Sequence, residues 1–169
     1  AKNWLFFITN DFTDRAALDL NFCKMLLLLY ISDVNLKNSD LEIPDPGYLL
    51  NILDNSLEVK KESIYNLMIT LKALNYEVPL QLWDNLYINE YESFKSSLNT
   101  NKINLLLILD ESLKKRNLAE TALIVIDILN SSNKEQSNFY NLYKSIYALN
   151  SIGLREYARY LGLEINLDL

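Results

Sequence analysis

Carboxylates are the abundant side chains here that could move a proton: the 169 residues contain 22 Asp+Glu and no histidine. The lack of imidazole rules out Ser/His and Cys/His nucleophilic pairs, imidazole metal ligation and the commonest general acid/base. Chemistry by two carboxylates would need a pair on one helix face, tuned by apolar surroundings. Asp110 and Glu111 are neighbours, so on a helix they point about 100° apart, and Glu111 is spaced to pair with Lys115 one turn further on. The basic run Lys114-Lys115-Arg116 falls where a helix is expected to end, a place the helix dipole favours for cations. Aspartate-rich metal motifs and glycine-rich phosphate loops are missing from the sequence. Cys23, the single cysteine, cannot form an internal disulfide or a cysteine zinc site and reads as a small buried hydrophobe. The expectation is therefore no catalytic residue, no cofactor and no metal site.

The eleven tyrosines suggest binding instead. Phe139, Tyr140, Tyr143 and Tyr147 recur at helical spacings of three and four, and Tyr157 and Tyr160 follow on the next expected helix. A tyrosine joins an apolar ring to a hydroxyl that wants water or a partner, and the residue is enriched at interface hot spots. Tyr140, Tyr143, Tyr147, Tyr157 and Tyr160 are thus the candidate surface for another protein or another segment of a longer chain. Arg155 and Arg159, four apart, could pair with acidic groups on that partner. The competing reading is a core stripe whose hydroxyls reach out to solvent.

Charge limits the partners further. Against 22 acidic residues stand 16 Lys+Arg, giving a net charge of -6, so there is no basic field to neutralise a phosphate backbone and nucleic acid is disfavoured. The apolar runs Trp4 to Ile8 and Met25 to Ile31 are far too short to span a bilayer, so no membrane span is expected. A chain that begins at Ala1 is expected to have been processed or cut from something longer. Its compartment would be the cytoplasm or, had an upstream signal peptide been removed, the periplasm.

The positioning elements must be helices. Half of the residues are hydrophobic and 22% are charged, a balance that folds. Three Gly and three Pro are too few for the turns of a β-sandwich, and 35 Leu against 4 Val favour helix. We read one all-α domain of about seven helices over residues 1–169. It would have N-terminal helices over 1–88, a polar linker over 89–101, and two helical hairpins over 102–169.

Caps and breakers set the boundaries. The first helix is expected from Asp14 to Ile31, with Thr13 as its cap, and a loop follows to Ile43. Asp45-Pro46 supplies an N-cap and a first-turn proline for a short helix to Leu53. The third helix, Val59 to Leu74, carries an apolar stripe of Ile64, Leu67, Met68, Leu71 and Leu74. Asn75 suits the left-handed residue after it, and Pro79 opens a short helix through Leu86. The last third reads as helices over 102–116, 119–130, 135–150 and 154–165, with turns at Asn117 and Gly153.

Shifting the chain by 36 residues (153 minus 117) lays Asn117-Leu118-Ala119-Glu120-Thr121-Ala122 on Gly153-Leu154-Arg155-Glu156-Tyr157-Ala158, with three positions identical. Asn or Gly would end one helix with a positive φ, Leu would plug the elbow, and Ala would let the helices approach. The helices Ile103 to Leu109 and Leu118 to Leu129 are apolar over most of their circumference, as inner helices between neighbouring hairpins would be. These two pieces resemble the mid-repeat turn of tetratricopeptide-like repeats. That resemblance, covering about Asn101 to Ile165, implies a right-handed α-solenoid that binds peptides or proteins in a groove. The runs Leu74 to Leu80 and Leu149 to Arg159 also resemble C-terminal helical regions of alphaproteobacterial proteins, a likeness that brings no activity with it.

Two other functions are weighed against the docking module. Tyr91-Glu92-Ser93-Phe94 resembles the Glu-Ser-x-Phe stretch of helical lytic transglycosylases, which implies Glu92 as acid and base on a glycosidic bond. The Gly-Leu-Met-Gln and Ala-Tyr motifs that accompany it in those enzymes are missing. The second alternative is an architectural subunit whose apolar ends are covered only within an assembly.

Overall fold

A computed structural model describes residues 20–32, 44–84, 100–131 and 139–167. The described residues are helix, turn or irregular chain with no strand, as the Leu-rich, Gly-poor composition requires. They form seven helices plus a short helical stretch over 80–84.

Helix α1 (Leu20–Ser32) buries Cys23, Leu26, Leu27 and Ile31. The part of the first expected helix before Leu20 lies outside the described residues, as does the loop over 33–43. Helix α2 (Pro46–Asp54) starts as the sequence demands: the Asp45 carboxylate accepts the Tyr48 N–H at 3.1 Å, and Pro46 occupies the first turn. Helix α3 (Lys61–Ala73) buries more than its expected stripe, because Tyr65, Ile69, Thr70 and Ala73 are also covered. It is the central post: α1, α2 and two C-terminal helices all pack around it.

Those C-terminal helices are α4 (Thr100–Lys114), α5 (Leu118–Ser131), α6 (Phe139–Ser151) and α7 (Arg155–Asn166). Helix α4 begins at Thr100, inside the stretch read as linker. The chain doubles back twice, so that α4 packs on α5, α5 on α6, and α6 on α7. Two hairpins therefore lie side by side. One apolar cluster joins α1, α2, α3 and the 80–84 stretch, and a second joins the four C-terminal helices to the end of α3. Each fully buried Leu or Ile contributes roughly 1.5–3 kcal/mol to this packing.

Polar contacts lock the layers in register. The Tyr76 hydroxyl donates to the Tyr30 carbonyl at 2.9 Å, and the two rings meet edge to face at 5.7 Å. Asn150 Nδ2 donates to the Ala73 carbonyl at 3.2 Å, pinning α6 to the end of α3. Asn166 Nδ2, at the end of α7, donates to Thr70 Oγ1 at 3.0 Å in a buried setting. Below it Gly162 lets α7 sit against α3, since a Cβ there would come within 2.6 Å of Thr70 Cγ2.

Helices α3, α4 and α6 end with the same device. A residue of positive φ (Asn75, Arg116 or Gly153) donates its N–H three residues back, to Lys72, Leu113 or Asn150. The next residue, Tyr76, Asn117 or Leu154, donates five back, to Leu71, Ser112 or Leu149. This is the Schellman arrangement, which satisfies the last free carbonyls of a helix. Asn75 and Gly153 stand where the sequence places them.

The first pivot does not. Its left-handed residue is Arg116, φ 53°, and Asn117 instead caps α5. Asn117 Oδ1 accepts the Glu120 N–H at 3.3 Å while Asn117 Nδ2 donates to Glu120 Oε2 at 2.9 Å. A reciprocal cap of this kind satisfies a free donor of the new helix, which a left-handed Asn117 would forgo. The structural offset between the hairpins is then 37 (153 minus 116), one more than the sequence match. Buried Thr121, rather than Ala122, becomes the counterpart of buried Ala158. Thr121 Oγ1 lies 2.7 Å from Ser112 Oγ, so a hydroxyl pair closes the elbow of the first hairpin.

Candidate interaction surface

Helix α6 places its aromatic residues on two sides. Its inward side carries Asn141, Ser145, Ile146, Ala148 and Leu149. Phe139, first of the expected aromatic stripe, leaves it and meets Tyr65 of α3 edge to face at 6.1 Å, within the N-terminal core. Tyr140 and Tyr147 are exposed. Tyr143, half-buried between them, stacks on Tyr147 with ring centroids 5.8 Å apart and planes at 17°.

A cation completes this group. Lys144 Nζ stands 5.7 Å from the Tyr140 ring centroid and 2.7 Å from Asp110 Oδ1 of α4. Asp110, weighed from the sequence as a catalytic-type carboxylate, is thus an ion-pair partner that ties the two hairpins together. Glu111 pairs with Lys114 at 2.7 Å rather than with Lys115. The Lys115 N–H still bonds the Glu111 carbonyl at 3.1 Å, but it is the Lys114 ammonium that reaches the Glu111 carboxylate.

The ionisation of these groups follows from their contacts. Burial raises the Tyr143 phenol above its ordinary value, and neighbouring Tyr147 adds to the rise. For Lys144, burial alone would favour the neutral amine, but the hydrogen bond to Asp110 and the Tyr140 contact outweigh it and leave the ammonium raised. The hydrogen bond and charge of Lys114 hold the Glu111 carboxyl below its ordinary value. All of these shifts keep the group in the charge state it already has at neutral pH, so none makes a poised acid or base.

Helix α7 turns Ala158, Gly162 and Asn166 inward. Its outward side presents Tyr157 and Tyr160, 64% and 67% exposed. Arg155 is exposed at the first turn and Arg159 is half-buried. Among the described residues no ring contact joins Tyr157 or Tyr160 to the α6 group. The structure therefore brings Tyr140, Tyr143 and Tyr147 into one cluster with Lys144 and Asp110, and sets Tyr157 and Tyr160 on a second outward row.

Sequence reasoning misses Lys144 and Asp110 as parts of this cluster, because only the packing of α4 on α6 brings them together. It also expects the two-sided apolar helices α4 and α5 to be enclosed. Instead Leu107, Ile108, Leu123 and Ile126 remain open to solvent. Their signal is the excess of apolar residues over what one core face can use. Glu92 lies outside the described residues. Among the described residues there is no group of three or more acidic or cysteine side chains that could hold a metal, and no helix is long and apolar enough to cross a membrane.

Fold and surface together define a stack of antiparallel helical hairpins with tyrosine-bearing outer sides. Comparison of the chain with protein-family models, curated proteins and solved structures finds no match.

Proposed function

We propose that this chain is a non-enzymatic helical-hairpin module, of the right-handed solenoid kind, that docks another protein or another segment of a longer chain on α6 and α7. One observation supports this most: four of the five candidate tyrosines, Tyr140, Tyr147, Tyr157 and Tyr160, are exposed while the aliphatic core is closed beneath them. Each ring can still bury its exposed part, 37–67% of the residue surface and on the order of 80–150 Å², against a partner. Affinity would rest on a few such anchors, with Arg155 and Arg159 meeting acidic groups at the rim. The net charge of -6 sets nucleic acid aside as the partner.

The test is affinity capture from cells that make the chain, using wild-type bait and a bait carrying Tyr140→Ser and Tyr147→Ser. A protein retained by the first and lost from the second, with both baits equally stable, supports the reading. Identical captures overturn it.

A further inference from the structure

Helix α7 presents one outward face whose members are fixed by the geometry of a single helix. At about 100° per residue, Glu156, Leu167, Tyr160, Glu164 and Tyr157 fall in that order within an arc of about 100°. All five are exposed, Leu167 by 69%. Ala158, Gly162 and Asn166 lie on the opposite arc and face the core, where α1, α3 and α6 pack against the helix. Half-buried Leu163 and Leu161 border the outward arc on either side.

The charges on this face are of one sign. Glu156 stands one turn before Tyr160 and Glu164 one turn after it, so two carboxylates bracket the ring about 6 Å away along the axis. Among the described residues neither makes an ion pair. Both cations of α7 lie off the arc: Arg159 is about 60° beyond Glu156 and half-buried, and Arg155 is further round. On the helices packed against α7, Lys61 pairs with Asp54 and Lys144 with Asp110, while Lys24 and Lys72 reach neither carboxylate.

These carboxylates select the partner. Docking that buries Tyr157 and Tyr160 brings Glu156 and Glu164 under the same cover, and a covered carboxylate without a partner is costly. A purely apolar partner is thereby disfavoured. A second copy of the face would add two more carboxylates and no cation within the arc. Tyr157, Tyr160, Glu164 and Leu167 recur at three, four and three, the spacing into which a facing helix packs its own side chains. An added strand would need a sheet edge, and the described residues have none.

We propose that the outward face of α7 docks a basic amphipathic helix, with its apolar side on Tyr157, Tyr160 and Leu167 and its Lys or Arg residues on Glu156 and Glu164. This inference rests on the docking reading above and narrows it to one partner chemistry. The experiment is fluorescence anisotropy of the full chain with two labelled synthetic helical peptides of equal length and identical leucine seam, one flanked by Lys and the other by Glu. The Lys-flanked peptide should bind wild type about tenfold more tightly than the other. Glu156→Gln with Glu164→Gln should weaken that binding about tenfold. Glu58→Gln with Glu77→Gln, which removes the same charge from exposed turns on either side of α3, should change it less than about twofold. Glu156→Lys with Glu164→Lys should invert the preference, and Tyr157→Ser with Tyr160→Ser should abolish binding while the helical circular dichroism stays intact. No preference between the peptides, an equal loss in the control pair, or no inversion overturns the inference. If the tyrosine variant loses binding and the Glu156, Glu164 variants do not, docking on α7 stands and the basic partner falls. If neither kind of variant changes binding, both fall.

Discussion

Replacing Gly162 by Ala tests how α7 is seated against the N-terminal helices. In an exposed helix the change would stabilise by about 1 kcal/mol, because Gly is a poorer helix former than Ala. Here the new methyl would lie 2.6 Å from Thr70 Cγ2 and 3.3 Å from Ile31 Cγ2, on α3 and α1 respectively. Turning Thr70 about χ1 to move Cγ2 aside would carry Oγ1 away from Asn166 Nδ2, so the methyl cannot swing away cheaply. Overpacking of this kind costs about 1–3 kcal/mol. Any retreat of α7 also strains the buried bond from Asn166 to Thr70, worth about 1 kcal/mol. The net expectation is a loss of about 1–2 kcal/mol. Thr70→Ser removes Cγ2 while keeping the acceptor for Asn166, at a cost of about 1 kcal/mol for the methyl-sized void. In the double variant the methyl introduced by Gly162→Ala fills that void, so the pair should couple favourably by about 2 kcal/mol. Urea unfolding of the four proteins, followed by circular dichroism, measures the cycle. Gly162→Ala more stable than wild type, or a coupling near zero, would refute the seating of α7 described above.

Two further predictions concern the pivots and pH. Arg116→Gly relieves a left-handed non-glycine residue and should raise stability by about 0.5–1 kcal/mol in chemical denaturation, whereas Gly153→Ala, at φ 89°, should lower it by about 1 kcal/mol. Alkali should destabilise the chain. Burial raises Tyr143 and Tyr30, with Asp45 adding to the rise at Tyr30, and the Asp110 hydrogen bond outweighs burial to raise Lys144. A group whose folded pKa is raised gives stability that is complete below its unfolded value and lost as pH rises through the folded one. The decline should therefore begin near about pH 10. Asp110→Asn should flatten part of that decline in unfolding measured across alkaline pH.

Features with a local cause can be read directly from the sequence. Asp45-Pro46 opens α2, and Asn75 and Gly153 close α3 and α6, because cap and left-handed positions depend on a few adjacent atoms. Sequence alone misplaces the first pivot by one residue because Asn serves equally as a left-handed terminator and as an N-cap. The choice turns on a reciprocal bond with Glu120 that spacing does not rank above the alternative. The three-and-four recurrence of Phe139, Tyr140, Tyr143 and Tyr147 locates α6 but does not sort its rings. That sorting depends on which neighbours arrive: Tyr65 draws Phe139 into the core, whereas Asp110 holds Lys144 beside Tyr140 at the surface. Helices α4 and α5 are the clearest limit, since a two-sided apolar pattern says that both sides want cover without saying what supplies it.

The central claim, that the outward tyrosines serve docking rather than folding, is tested most directly by one paired measurement on a Tyr157→Ser, Tyr160→Ser variant. Its urea-unfolding free energy and its capture of the proteins bound by wild type are measured together. Exposed positions of this kind should shift stability by no more than about 0.5 kcal/mol per site, while capture is lost. A stability loss of several kcal/mol, or capture equal to that of wild type, would contradict the account.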